Sequence, residues 1–111
     1  MTAWNVVQIV FDSWTSTGVI KRKYFTNDFA FEGGSDAVNA EVWLSPTDET
    51  PPIDVVIVRS LISESNVCLL FEFKDPITWL LYRASWFFDI RDEKIARLIE
   101  TRQSIHRPFK E

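Results

Sequence analysis

The chain has 111 residues, a length that builds one domain and excludes a two-domain enzyme with its site between lobes. Its 46% hydrophobic residues suffice for a core, and 25% charged residues exclude a disordered chain; nine Phe, five Trp and two Tyr either fill that core or line a cavity in it. Twelve basic against sixteen acidic residues leave a formal charge of −4, which excludes nucleic-acid binding through a general basic field.

Residues 3–16 set Val6, Val7, Val10, Phe11 and Trp14 at the spacing of an amphipathic helix, and Gly18 can take the left-handed conformation that ends it. A short second helix is expected over 19–25, broken at Asn27-Asp28, and a short strand over 29–32 closes at Gly33-Gly34. Ser35 and Asp36 are N-cap types for a third helix to Leu44, and the proline-rich stretch 46–52 is a loop. The Val- and Ile-dense segment 53–62 predicts a strand, 63–66 a turn, and 67–73 a second long strand. For 77–90 two patterns compete. Asp75-Pro76 is a good helix start, whereas Leu80, Tyr82, Ala84, Trp86, Phe88 and Ile90 alternate as in a strand. Residues 91–94 form a polar turn, and 95–102 suits helix or strand equally.

Three stretches together resemble a known family. The segment from Phe87 to Leu98, Phe-Phe-Asp-Ile-Arg-Asp-Glu-Lys-Ile-Ala-Arg-Leu, resembles the closing hairpin of SnoaL-like proteins, within the superfamily named after nuclear transport factor two. Phe-Thr-Asn-Asp-Phe-Ala-Phe-Glu-Gly from Phe25 to Gly33 is similar to their Phe-x-x-Asp-aromatic stretch, and Val6 to Trp14 with Gly18 to their first helix. Glu93 stands where that turn usually has Gly, and no Asp follows Gly18. The resemblance runs from about Val6 to Arg102 and implies an α+β cone: a strongly curved, mostly antiparallel sheet wrapped around N-terminal helices, in one domain. It resolves 77–90 and 94–102 as paired strands.

On that fold the implied inward positions are apolar: Val10, Trp14, Tyr24, Val67, Leu69, Phe71, Phe73, Tyr82, Ala84, Trp86, Phe88 and Leu98. The resemblance implies a pocket for a small hydrophobic metabolite, needing no cofactor, with cyclase, dehydratase, hydrolase or isomerase chemistry if a carboxylate or tyrosine is placed in it. Glu100 and Tyr82 are the candidates for that role; for Glu100 the competing expectation is a rim carboxylate paired with Arg102 or Arg97. At the positions of the ketosteroid isomerase catalysts stand Val10, Gly33 and Trp86, none of which moves a proton. Asp28 is expected to cap a turn, and Arg59 and Arg83 to emerge on the outer face of the sheet.

The alternative is an association module with the cone filled. Leu81, Phe87 and Ile99 would form an outer apolar patch among Arg83, Ser85 and Arg97, suited to a homodimer, or covered by the tail 105–109. The lone Cys68 reads as a small buried hydrophobe that forms no internal disulfide and suits a cytoplasmic setting. Neither a signal peptide, a membrane-length apolar run nor a metal-ligand spacing is visible. Residues 1–55 carry three basic and eight acidic groups and 56–111 nine and eight, which reads as two differently solvated faces.

Overall fold

The computed structural model describes residues 2–33 and 50–105. Helix α1 (Ala3–Thr17) begins at a reciprocal cap: Thr2 Oγ1 accepts from the Asn5 N–H at 3.1 Å, and the Thr2 N–H donates to Asn5 Oδ1 at 3.2 Å. Two of the first-turn donors that a helix leaves without internal partners are thereby engaged. Ala3, Val6, Val7, Val10 and Phe11 are buried along one stripe, so packing outweighs the weak helix preference of the valines. Gly18 ends the helix at φ 79°, its N–H donating to the Trp14 carbonyl at 2.8 Å.

The expected second helix over 19–25 is reduced to a single 3-10 turn, Arg22–Tyr24, and strand β1 (Phe25–Glu32) starts four residues earlier than the sequence suggests. As a strand, 25–32 pairs in parallel with β5 and buries Phe25 and Phe29, whose rings meet edge to face at 4.7 Å. Lys21-Arg22-Lys23 offers a helix no apolar face at that point. The third-helix expectation and most of the 46–52 loop lie outside the described residues.

Strands β2 (Ile53–Ile62), β3 (Asn66–Lys74), β4 (Leu81–Arg91) and β5 (Lys94–Ser104) follow as antiparallel neighbours, and the sheet runs β1-β5-β4-β3-β2. It is mostly antiparallel and unclosed, with β1 and β2 at its edges. The competition over 77–90 is resolved by both signals being used. Asp75 Oδ1 caps the N–H groups of Ile77 and Thr78 at 2.8 and 3.0 Å, but the capped segment is one turn; from Leu81 the period-two pattern takes over. Central position in the sheet explains the outcome, because Ala84, Trp86 and Phe88 are buried only if their strand alternates. The β4–β5 turn holds Asp92 and Glu93 at φ 53° and 61°, the paired left-handed geometry of a two-residue hairpin.

Register fixes the two faces. Val67, Leu69, Phe71 and Phe73 of β3, Ala84, Trp86 and Phe88 of β4, and Ile95 and Leu98 of β5 point toward α1 and form the core with it. Cys68 lies on the opposite face and is only partly buried, which corrects its assignment to the core; alternation within the apolar run 67–71 turns it outward.

Candidate functional site

The inward set converges, and its members touch. Val10, Phe71, Trp86, Phe88 and Leu98 are fully buried, and Phe73 nearly so. Trp14, Tyr24 and Tyr82 are half-buried against the edge of the core. Trp14 and Trp86 lie with ring centroids 4.9 Å apart, Phe71 and Trp86 5.0 Å, and Trp86 and Phe88 5.8 Å. Phe11, on the helix stripe but absent from the expected inward set, joins them at 5.2 Å from Phe71 and 5.9 Å from Trp86. Its place one turn after Val7 was the signal for it. Between α1 and the centre of the sheet most of these rings meet edge to face, with Trp14 and Trp86 tilted at 43°.

Polar chemistry gathers where α1 ends, beside the β3–β4 loop. Trp86 and Glu100 are directly opposite on β4 and β5, and the indole Nε1 donates to Glu100 Oε2 at 2.6 Å. Arg102, two residues on and facing the same way, donates from Nη2 to that same oxygen at 2.9 Å. Its guanidinium spreads over Phe73 at 5.2 Å and Tyr82 at 5.7 Å, whose own rings stack at 5.6 Å. Glu100 is therefore inward and paired with Arg102, and its side chain is only 9% exposed. Two N–H groups thus converge on the single oxygen Oε2. Tyr82 brings a ring to this corner.

A cleft of about 190 Å³ opens here, lined by Trp14, Pro52, Phe73, Pro76, Ile77 and Arg102 together with Thr50 and Asp75. It is smaller than the cavities of about 300–1,000 Å³ that hold drug-sized ligands. A broader depression of about 720 Å³ lies where α1 begins, between the turns 63–65 and 92–93, with Trp4, Ile62 and Ile90 in its floor. The described residues lining it include no lysine or arginine.

Elsewhere the candidates have ordinary roles. Val10, Gly33 and Trp86 bring no titratable group, and a methyl group on Gly33 would come within 2.5 Å of the Phe31 ring. Asp28 reaches across to the β4–β5 hairpin and pairs with Arg91 at 2.5 Å instead of capping its own turn. The buried Thr26 hydroxyl lies beside it on the same strand. That hydroxyl first, and the Arg91 guanidinium second, hold the Asp28 carboxyl below its ordinary value. On the outer face Arg83 pairs with Glu72 at 2.5 Å, Arg97 pairs with Glu32, and Arg59 is exposed on β2. No group of three metal-binding side chains occurs among the described residues, and no helix there is long and apolar enough to cross a membrane.

The outer face also carries an apolar row. Strand register places Leu61, Cys68, Phe87 and Ile99 side by side across β2, β3, β4 and β5, with Glu32 of β1 at the end. Arg97, Asp89 and Asn66 form the neighbouring row on one side, and Thr101, Ser85, Leu70 and Arg59 on the other.

An α1-backed, unclosed sheet of this kind is the fold of NTF2-like proteins of known structure. The chain is similar to an NTF2-like protein of unknown function from Cytophaga hutchinsonii, with a TM-score of 0.74 at 14% identity over 93% of this chain and 91% of that one. It is also similar to an NTF2-like protein of unknown function from Methylobacillus flagellatus, with a TM-score of 0.58 at 12% identity over 91% and 89% of the two chains. No family profile and no curated protein matches the sequence.

Proposed function

We propose that this NTF2-like domain binds a small apolar molecule carrying one acceptor or carboxylate, at the cleft beside Trp14 and Arg102, without carrying out acid–base catalysis. The observation that carries this reading is the use of Arg102: one N–H engages Glu100, the planar group rests on Phe73 and Tyr82, and the residue forms part of the cleft wall. An arginine flattened on rings next to an apolar wall suits the polar end of a small ligand whose body rests on Trp14. Glu100 and Trp86 then act as positioning groups that hold Arg102 in place. Titration with benzoate and with branched short-chain carboxylates, read by tryptophan fluorescence, tests the reading. Saturable quenching that is lost in Arg102→Met supports it; equal quenching in the variant removes Arg102 from the account, and no quenching by any probe removes the ligand.

The outer row supports a second reading, a homodimeric association module. Leu61 and Phe87 are 64% and 39% exposed in one registered row bordered by charge, the pattern of a patch that a second copy covers. Light scattering on Phe87→Glu separates the two readings, since that change halves the mass of an outer-face dimer and leaves the cleft intact.

A further inference from the structure

The depression where α1 begins, at about 720 Å³, has the size of a small-ligand site, and the Arg102 cleft leaves it without a role. Its floor is apolar: Trp4 and Ile90 pack half-buried against the core, and Ile62 is 53% exposed. Its walls are tied in place. The Ile90 N–H donates to the Ser65 carbonyl and the Ser63 N–H to the Asn66 carbonyl, each at 2.8 Å, and the Thr2–Asn5 cap fixes the start of α1. A ligand settling there therefore has little of the protein left to order.

Charge at this depression is one-sided. Glu64 of the β2–β3 turn and Asp92 and Glu93 of the β4–β5 turn line it. The nearest cations in sequence are turned to other partners: Arg91 pairs with Asp28, and Lys94 lines a separate depression with Thr26 and Asn27. Glu93 already senses the chain's terminal ammonium, which holds its carboxyl below the ordinary value. Glu64 and Asp92 are exposed and make no hydrogen bond or ion pair among the described residues. The end of α1 contributes only about half a positive charge against these carboxylates.

We propose that this depression binds a small organic cation, an ammonium group on an apolar body, with the body against Trp4 and Ile62 and the ammonium served by Glu64 and Asp92. A bare metal ion fits poorly, because no three carboxylate, histidine or cysteine side chains among the described residues are grouped to hold one. An ammonium carried on carbon meets both halves of the lining at once: the apolar floor takes the body, and the two unpaired carboxylates take the charge. Aromatic surface at Trp4 adds to the preference for a cation. The site is independent of the Arg102 cleft. Trp4 and Trp14 are ten residues apart on α1, roughly 15 Å along its axis, and Arg102 selects the opposite charge.

A ¹⁵N-correlated NMR titration of the full chain with 3-phenylpropylammonium, and with 3-phenylpropanol as its uncharged counterpart, tests the proposal. The ammonium should give saturable shifts at the Trp4 indole and at the Glu64 and Asp92 amides, leaving the Trp14 indole unmoved. The alcohol should bind about fivefold more weakly, and the double variant Glu64→Gln, Asp92→Asn should weaken the ammonium by a similar factor without changing the alcohol. Asn tolerates the left-handed conformation of residue 92, so the turn survives the change. If the variant fails a circular-dichroism check of folding, the comparison of ammonium with alcohol on the wild type decides. Equal affinity for the two probes, ammonium shifts centred on Trp14, or no saturable shift at Trp4 would each overturn it. A failure of benzoate to bind at Arg102 would leave it standing.

Discussion

The indole of Trp86 donates to Glu100 at 2.6 Å across fourteen residues of sequence, because the β4–β5 ladder sets the two directly opposite each other. Most of the ring is core, while its one donor finds the only carboxylate that the same face of β5 provides within the described strand. Removing the acceptor leaves a buried N–H unsatisfied and frees Arg102. Glu100→Leu should cost about 2 kcal/mol, Trp86→Phe about 1 kcal/mol, and the double variant less than their sum. Urea unfolding of the four proteins measures the coupling; strict additivity would show that the contact contributes nothing.

Phe71 touches Phe11, Trp14, Phe73 and Trp86 and is fully buried. Phe71→Ala should destabilise by about 3–5 kcal/mol through lost burial and the cavity left behind. Small domains hold only about 5–15 kcal/mol in all. The urea midpoint should therefore fall by a large fraction of its value. A shift below about 1 kcal/mol would mean that the rings enclose free space into which their neighbours relax.

Asp28 supplies a pH dependence of known sign. Its folded-state value lies below the ordinary one near 3.8, so its contribution is present at neutral pH and fades as pH falls through the folded-state value. The melting temperature of Asp28→Asn should lie slightly below that of wild type at pH 7, and the gap should close as the pH falls through the lowered folded-state value. Because the pair with Arg91 is exposed, added salt should shrink the gap at pH 7 as well. A gap that widens in acid would contradict the assignment.

Gly18 holds φ 79° at the end of α1, where a side chain is strained. Gly18→Ala should destabilise by about 1–2 kcal/mol, and thermal unfolding followed by circular dichroism reads it. An unchanged melting temperature would show that α1 ends without needing the left-handed residue.

The sheet was legible because its strands carry their own alternation: 53–62 and 67–73 are strands on β-branched and aromatic content alone. Residues 77–90 were not legible locally, since the Asp75 cap is genuine and ends after one turn; only the burial of Ala84, Trp86 and Phe88 decides for β4. The second helix failed for a related reason, because the gain of 25–32 as a strand comes from β5, seventy residues away and invisible in a local window. Glu100 was readable as an inward carboxylate from its parity with Leu98. That the Trp86 donor would meet it, and that Arg102 would lie flat on Phe73 and Tyr82, depended on register between strands, which no single segment encodes. The same register turned Cys68 outward.

The central claim is that small ligands meet this domain at the Trp14–Arg102 cleft and leave its ring-filled interior undisturbed. A ¹⁵N-correlated NMR titration with benzoate tests it directly, because each indole N–H gives its own signal. The account predicts saturable shifts at the Trp14 indole and the Arg102 backbone amide, with the backbone amides of Val7, Phe88 and Leu98 unmoved. Shifts centred on Val7, Phe88 and Leu98 would place a cavity inside the cone and contradict it.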